Sequence, residues 1–174
     1  MRTLLRLVVG LCLALAPNVV AAQGVPVQLP PAGCSSLAVS FVEAQGAAGT
    51  ILDVLQLTNL SGSTCVLNGY VTVQMLDASD APMPTVSVPG GGIFMGFPGP
   101  SAVMLAAGAS APFGITWSDV PTGTETSCAA ATRLAITPPG AATPLILDGV
   151  TIAPCNSGRI NVGPIRPPGS VIPS

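Results

Sequence analysis

Histidine and lysine are both missing from this chain, and its five basic residues are all arginines. The usual general base, the commonest metal ligand and the Schiff-base amine are therefore absent. Charged residues make up only 7% of the sequence and aromatic residues 3%, so a polar nucleic-acid groove lined with stacking rings is excluded as well. Past the first residues only Arg133, Arg159 and Arg166 face seven acids (Glu43, Asp53, Asp77, Asp80, Asp119, Glu125, Asp148). That excess of negative charge argues against nucleic acid and anionic membrane surfaces as partners. Sparse charge combined with 49% apolar residues also argues against a disordered chain.

What is present begins with a leader. Arg2 and Arg6 precede an apolar run from Leu7 to Ala16, and Val20-Ala21-Ala22 offers small residues for cleavage after Ala22. Residues 1–22 read as a signal peptide, because the apolar run is shorter than the about 20 residues a membrane span needs. Cys12 lies inside that run behind Leu11, where lipoprotein processing requires a small residue. The expectation is a secreted, extracytoplasmic product without lipid anchor or integral membrane span.

Four cysteines follow the leader: Cys34, Cys65, Cys128 and Cys155. An even count in an exported chain implies two disulfides. Their spacings are wide and no histidine can complete a site, so zinc is not expected and no metal or other cofactor is assigned. Three pairings are open. The nested one, Cys34 with Cys155 and Cys65 with Cys128, is favoured because it would fasten the first and last strands.

The remaining pattern is strand-like. Ala111, Phe113, Ile115 and Trp117 alternate with Pro112, Gly114, Thr116 and Ser118, and shorter alternations cover 37–41, 71–75, 133–137 and 159–162. Glycine, proline, serine and aspartate clusters separate these runs. About seven or eight short strands with two disulfides predict an all-β, immunoglobulin-like β-sandwich over residues 34–164, with a closed barrel as the structural alternative. One helical turn is expected around Thr126 to Ala131. Residues 23–33 read as an entry arm and 165–174 as a Pro-rich disordered tail.

Several elements, taken in order, resemble one family. They are Cys34, Gly46-Ala47-Ala48-Gly49, Leu57-Thr58-Asn59 with Ser61, and the box Cys65-Val66-Leu67-Asn68-Gly69-Tyr70. Leu105 with Ala107-Gly108-Ala109-Ser110-Ala111, Trp117, Cys128, Leu134-Ala135-Ile136, Pro138-Pro139-Gly140 and Cys155 complete the pattern. This is similar to the family called domain of unknown function 4232, found mainly in exported proteins and lipoproteins of actinobacteria. Two departures are Val71 where members usually carry proline, and a leader without a lipobox. The resemblance implies export and fold but supplies no catalytic residue.

Candidate chemistry is sparse. The segment Pro89 to Pro100 holds Ile93, Phe94, Met95 and Phe97 between glycines and prolines, and an exposed apolar loop of this kind marks a partner surface. These four residues form the candidate binding loop, with an unidentified envelope or protein ligand. Asn59 and the 65–70 box are expected to be turn and packing residues. Asp77 and Asp80 fit a solvated hairpin end, and Met75, Met83, Met95 and Met104 without histidine make a poor copper site. A serine nucleophile would lack its base, so no catalytic residue is assigned and the chain is not expected to be an enzyme. The rival reading is a carboxylate-pair hydrolase of cell-wall glycans using two of Asp53, Asp119, Glu125 and Asp148.

Overall fold

A strand that alternates apolar and polar residues has one face to bury, and most of the ten strands among the described residues bury theirs against one another. The computed structural model describes residues 32–172. The expected signal peptide, its expected cleavage point and the expected entry arm up to residue 31 lie outside the described residues.

The strands are β1 (Leu37–Ala47), β2 (Thr50–Asn59), β3 (Cys65–Leu67), β4 (Thr72–Leu76), β5 (Val86–Pro89), β6 (Val103–Leu105), β7 (Ser110–Ser118), β8 (Ala131–Thr137), β9 (Leu145–Ile152) and β10 (Arg159–Val162). The all-β expectation holds, with more strands than the seven or eight anticipated. The surplus includes β3, β5 and β6, which span only three or four residues, too few for alternation to be recognised.

Five strands form the large sheet in the order β1-β2-β7-β10-β5. Its pairs are antiparallel except β10 with β5, which run parallel. A second sheet has the order β4-β8-β9, and β3 pairs with β6 as a two-stranded ribbon. The strands β1 and β2 meet through Ala48 and Gly49, both in the left-handed region (φ 50° and 79°), a two-residue turn that suits the twist of antiparallel strands.

One core lies between the layers. Leu55 and Leu57 of β2, Phe113 and Ile115 of β7, and Ile160 and Val162 of β10 face Val73 and Met75 of β4, Leu134 and Ile136 of β8, and Leu147 of β9. Leu67 and Leu105 close the end covered by the ribbon. The alternation over 111–117 thus puts Phe113, Ile115 and Trp117 in the core, with Gly114 and Thr116 on the opposite face of the sheet.

Both disulfides differ from the nested expectation. Cys34 bonds Cys65 and Cys128 bonds Cys155, closing segments of 31 and 27 residues. The reason is strand order: β2 and β7 lie between β1 and β10, so the ends that a nested bridge would join are about three strand spacings, ~14 Å, apart. A disulfide needs Cα atoms within about 7 Å. Gly33 bridges Val66 and the Ala32 carbonyl accepts from the Val66 amide, which brings Cys34 beside Cys65 instead. Each bridge closes a loop whose chain-entropy contribution is about 3–4 kcal/mol.

Two further expectations are corrected. No helical turn forms at 126–131; Cys128 is held by its disulfide in an irregular loop, and β8 already starts at Ala131. Residues 165–172 are not a disordered tail. Ile165 is buried in the main core, Arg166 donates its backbone amide to the Pro112 carbonyl (2.8 Å), and Ile172 is buried against the outer face of the large sheet. Proline keeps this segment from pairing as a strand, yet its two isoleucines still anchor it as a strap.

Candidate binding site on the outer face of the large sheet

The glycines after β5 let the chain turn back over the sheet it has just left. Gly90 and Gly92 adopt φ of 66° and 61°, where residues with a Cβ are strained. A Cβ on Gly91 would stand 2.5 Å from Oδ1 of Asn161, and one on Gly92 would stand 2.7 Å from its Nδ2. The Gly90 amide donates to the Val162 carbonyl (2.8 Å), and a single 3₁₀ turn, Gly92–Phe94, follows.

Phe94 then enters a slot made by missing side chains. A Cβ on Gly114 of β7 would lie 3.0 Å from its ring, and one on Gly163 would lie 2.9 Å away. Leu52, Val54 and Ile172 complete the second, smaller apolar cluster. With Phe94 fixed, its neighbours are held outward: Ile93 is 38% exposed, Met95 74% and Phe97 38%. The rings of Phe94 and Phe97 sit 6.5 Å apart at 53°, an edge-tilted contact that links the buried anchor to the exposed surface.

The four predicted loop residues therefore divide, one anchor and three exposed. Beside Ile93 the outer face opens into a groove of about 350 Å³, bordered by Gln45, Gly46, Ala47, Thr50, Leu52 and Thr116. Thr116, 1% exposed, forms part of its wall. Next to it, Oδ1 of Asn161 is buried without a hydrogen-bond partner, and its Nδ2 reaches Thr116 only at 3.5 Å. Apart from Ile93, none of these groove residues was read from the sequence as part of a site; Gly46, Ala47 and Thr116 entered only as family-pattern or strand residues. The signal was there only in Gly114, a glycine in mid-strand, which marks a close approach of something to the sheet.

Other candidates resolve into structure. Asn59 is fully buried; its Nδ2 donates to the carbonyls of Ser63, Leu105 and Ala106, and its Oδ1 accepts from the Ser61 amide and hydroxyl. It is a turn clamp, as expected. Asp77 accepts from the Ser79 amide and hydroxyl and the Ala81 amide, and these bonds hold its carboxyl below the usual range. Met75 is a core residue while Met95 and Met104 are exposed.

Three of the four acids of the hydrolase reading have partners of their own, and the fourth is exposed. Asp53 is buried and accepts from the Trp117 indole (2.7 Å), and Asp119 is exposed at the end of β7. Asp148 and Asp80 both pair with Arg133. Glu125 accepts from the amides of Asn156 and Ser157, each at 2.8 Å. Glu125 also lies near Cys128 and Cys155, but those sulfurs are bonded to each other and offer no thiolate to a metal.

Residues 34–166 match the family described as Domain of unknown function (DUF4232), and the chain belongs to it. No curated protein matches the chain, and no solved structure matches it.

Proposed function

We propose that this domain is a secreted, non-catalytic binding module that meets a cell-envelope component through Ile93, Met95 and Phe97 and the groove beside them. One observation carries the reading: Phe94 is locked into the sheet while Met95 stands largely exposed beside it and Ile93 and Phe97 remain partly so. Holding exposed apolar groups on a fixed support lowers the ordering cost of binding. Nothing charged lies between Pro89 and Pro100, so the surface suits an apolar, uncharged partner rather than an anionic polymer. Two disulfides and the leader in the first 22 residues support an oxidising, extracytoplasmic setting. Among the described residues no helix is long and apolar enough to cross a membrane. The lack of histidine and lysine supports a role without turnover.

The test is co-sedimentation of oxidised protein with wall and membrane fractions of its host. The variant is Ile93→Ser, Met95→Ser, Phe97→Ser with Phe94 left in place, so that the loop keeps its anchor. Retention of the wild type and its loss in the variant is the expected result. Equal retention of both, at equal thermal stability, refutes the loop as the binding surface. Release of soluble glycan from the wall fraction would instead support the hydrolase reading.

A further inference from the structure

On the other side of the same sheet, a buried carboxyl looks into a small pocket at one edge of the sandwich. Phe41 and Ala44 of β1, Asp53 of β2, and Val150 and Ile152 of β9 line about 150 Å³ where the edge strands of the two sheets meet. A β-bulge makes this possible. The register slips between Phe41 and Glu43, so Phe41 opposite Leu55 and Ala44 opposite Asp53 both face inward, while Glu43 opposite Val54 faces outward.

Asp53 is 6% exposed, and its Oδ2 accepts from Nε1 of Trp117. Among the described residues no cation neutralises it, and the ion pairs join Arg133 to Asp80 and Asp148. The charged groups on the elements packed around Asp53 are Glu43, turned to the outer face, and Asp148, exposed and held by Arg133; β7 carries none. A buried carboxylate without a counter-charge is costly, and an apolar residue of similar volume would be better for stability alone. The chain has no lysine that could supply the missing ammonium.

We propose that this pocket binds a primary alkylammonium of roughly five heavy atoms, the size that about 30 Å³ per water-sized group allows. The ammonium would meet Asp53, and the methylenes would lie along Ala44, Val150 and the ring of Phe41, whose 44% exposure places it at the mouth. A calcium ion is a poorer fit, because it needs six or more oxygens and one carboxylate is on offer. Burial raises the Asp53 carboxyl above its ordinary value, against the smaller opposing effect of the Trp117 bond. Affinity for the ammonium therefore rises with pH as that carboxyl ionises. The inference is independent of the loop surface.

Trp117 is the only tryptophan of the chain, so its fluorescence reports on this carboxyl. The experiment titrates n-butylammonium chloride into the oxidised protein at neutral pH, with n-butanol and equimolar sodium chloride as controls. A saturable change with the ammonium alone is expected. Asp53→Asn keeps an oxygen for the indole and should weaken binding on the order of 30-fold or more. Ala44→Leu fills the pocket while leaving the carboxyl and should abolish the response. Thermal melts establish that each variant is folded. An equal response to n-butanol, or undiminished binding in either folded variant, overturns the proposal. Nα-acetyl-lysine amide forms a further arm. Binding as tight as that of n-butylammonium assigns the pocket to a lysine side chain on a peptide, and binding of n-butylammonium alone assigns it to free amines.

Discussion

On its inner face the large sheet carries Leu55, Phe113, Ile115 and Ile160, all at 0–1% exposure. On the outer face the same strands carry Leu52, Val54, Gly114 and Thr116, and the cover comes from one phenylalanine and one isoleucine at the ends of loops. The inner face is sealed by another sheet, so each side chain has neighbours from several strands. The outer face is sealed by two segments, each placing a single large side chain on it, Phe94 from one and Ile172 from the other. A surface of the second kind gives up stability and gains an edge at which apolar groups can be presented to a partner.

The comparison predicts unequal responses to the same truncation. Phe113→Ala leaves a cavity in a closed core and should cost about 4–5 kcal/mol. Phe94→Ala opens toward water, loses mainly the transfer contribution and should cost about 1.5–3 kcal/mol. At about 2–4 °C per kcal/mol for a domain of this size, calorimetry resolves the two. Equal losses would mean that the outer cluster belongs to the main cooperative core.

Filling the slot from the sheet side sharpens the contrast. Gly163→Ala places a Cβ 2.9 Å from the Phe94 ring. Overpacking of this kind should cost about 1–3 kcal/mol. Because Phe94 sits on a loop, the loop should lift and chymotrypsin should cleave after Phe94, whereas Pro98 protects the bond after Phe97. Stability loss without added cleavage would show that the ring shifts within its slot and the loop stays down.

The inner face was legible in the sequence because alternation is a property of the strand itself. Phe113, Ile115 and Trp117 declare their side. The outer cover was not legible. Whether Phe94 or Phe97 is the anchor depends on Gly114 and Gly163, far away in sequence, and on Ile172 in a segment whose prolines suggested disorder. The disulfide pairing was hidden for the same reason. It follows from β2 and β7 lying between β1 and β10, an order fixed by long-range packing. Asp53 was visible only as one of four candidate acids, and the bulge that opens a pocket beside it was not visible at all.

The acids extend the comparison from apolar groups to charge. Burial raises the Asp53 carboxyl, so the native state holds its proton more tightly than the unfolded chain does. Its contribution to stability is complete below the ordinary value of 3.8 and is lost as pH rises through the raised native value. Asp53→Asn removes that loss. The variant should therefore unfold at higher denaturant than the wild type near neutral pH, with the gap closing in acid. A variant less stable than wild type at neutral pH would mean that the ionised carboxyl is already compensated in the free protein.

Glu125 should show the opposite sign and the smallest effect. It lies at the rim, and the amides of Ser157 and Asn156 hold its carboxyl below the usual range. Both donors sit in the left-handed region, at φ 60° and 55°, a conformation that residues other than glycine adopt at some cost. The carboxylate repays two amides that this turn would otherwise leave to water. Its contribution is present above the unfolded-state value near 4.5 and is lost as pH falls through the lowered native value. Glu125→Gln should shift the denaturation midpoint slightly downward at neutral pH and flatten its acid limb. It should also speed amide exchange at Asn156 and Ser157 while Phe113 and Ile115 keep their protection. Exchange that quickens across the core as well would tie this turn to the closed face of the sheet and end the distinction between a sealed interior and a locally held rim.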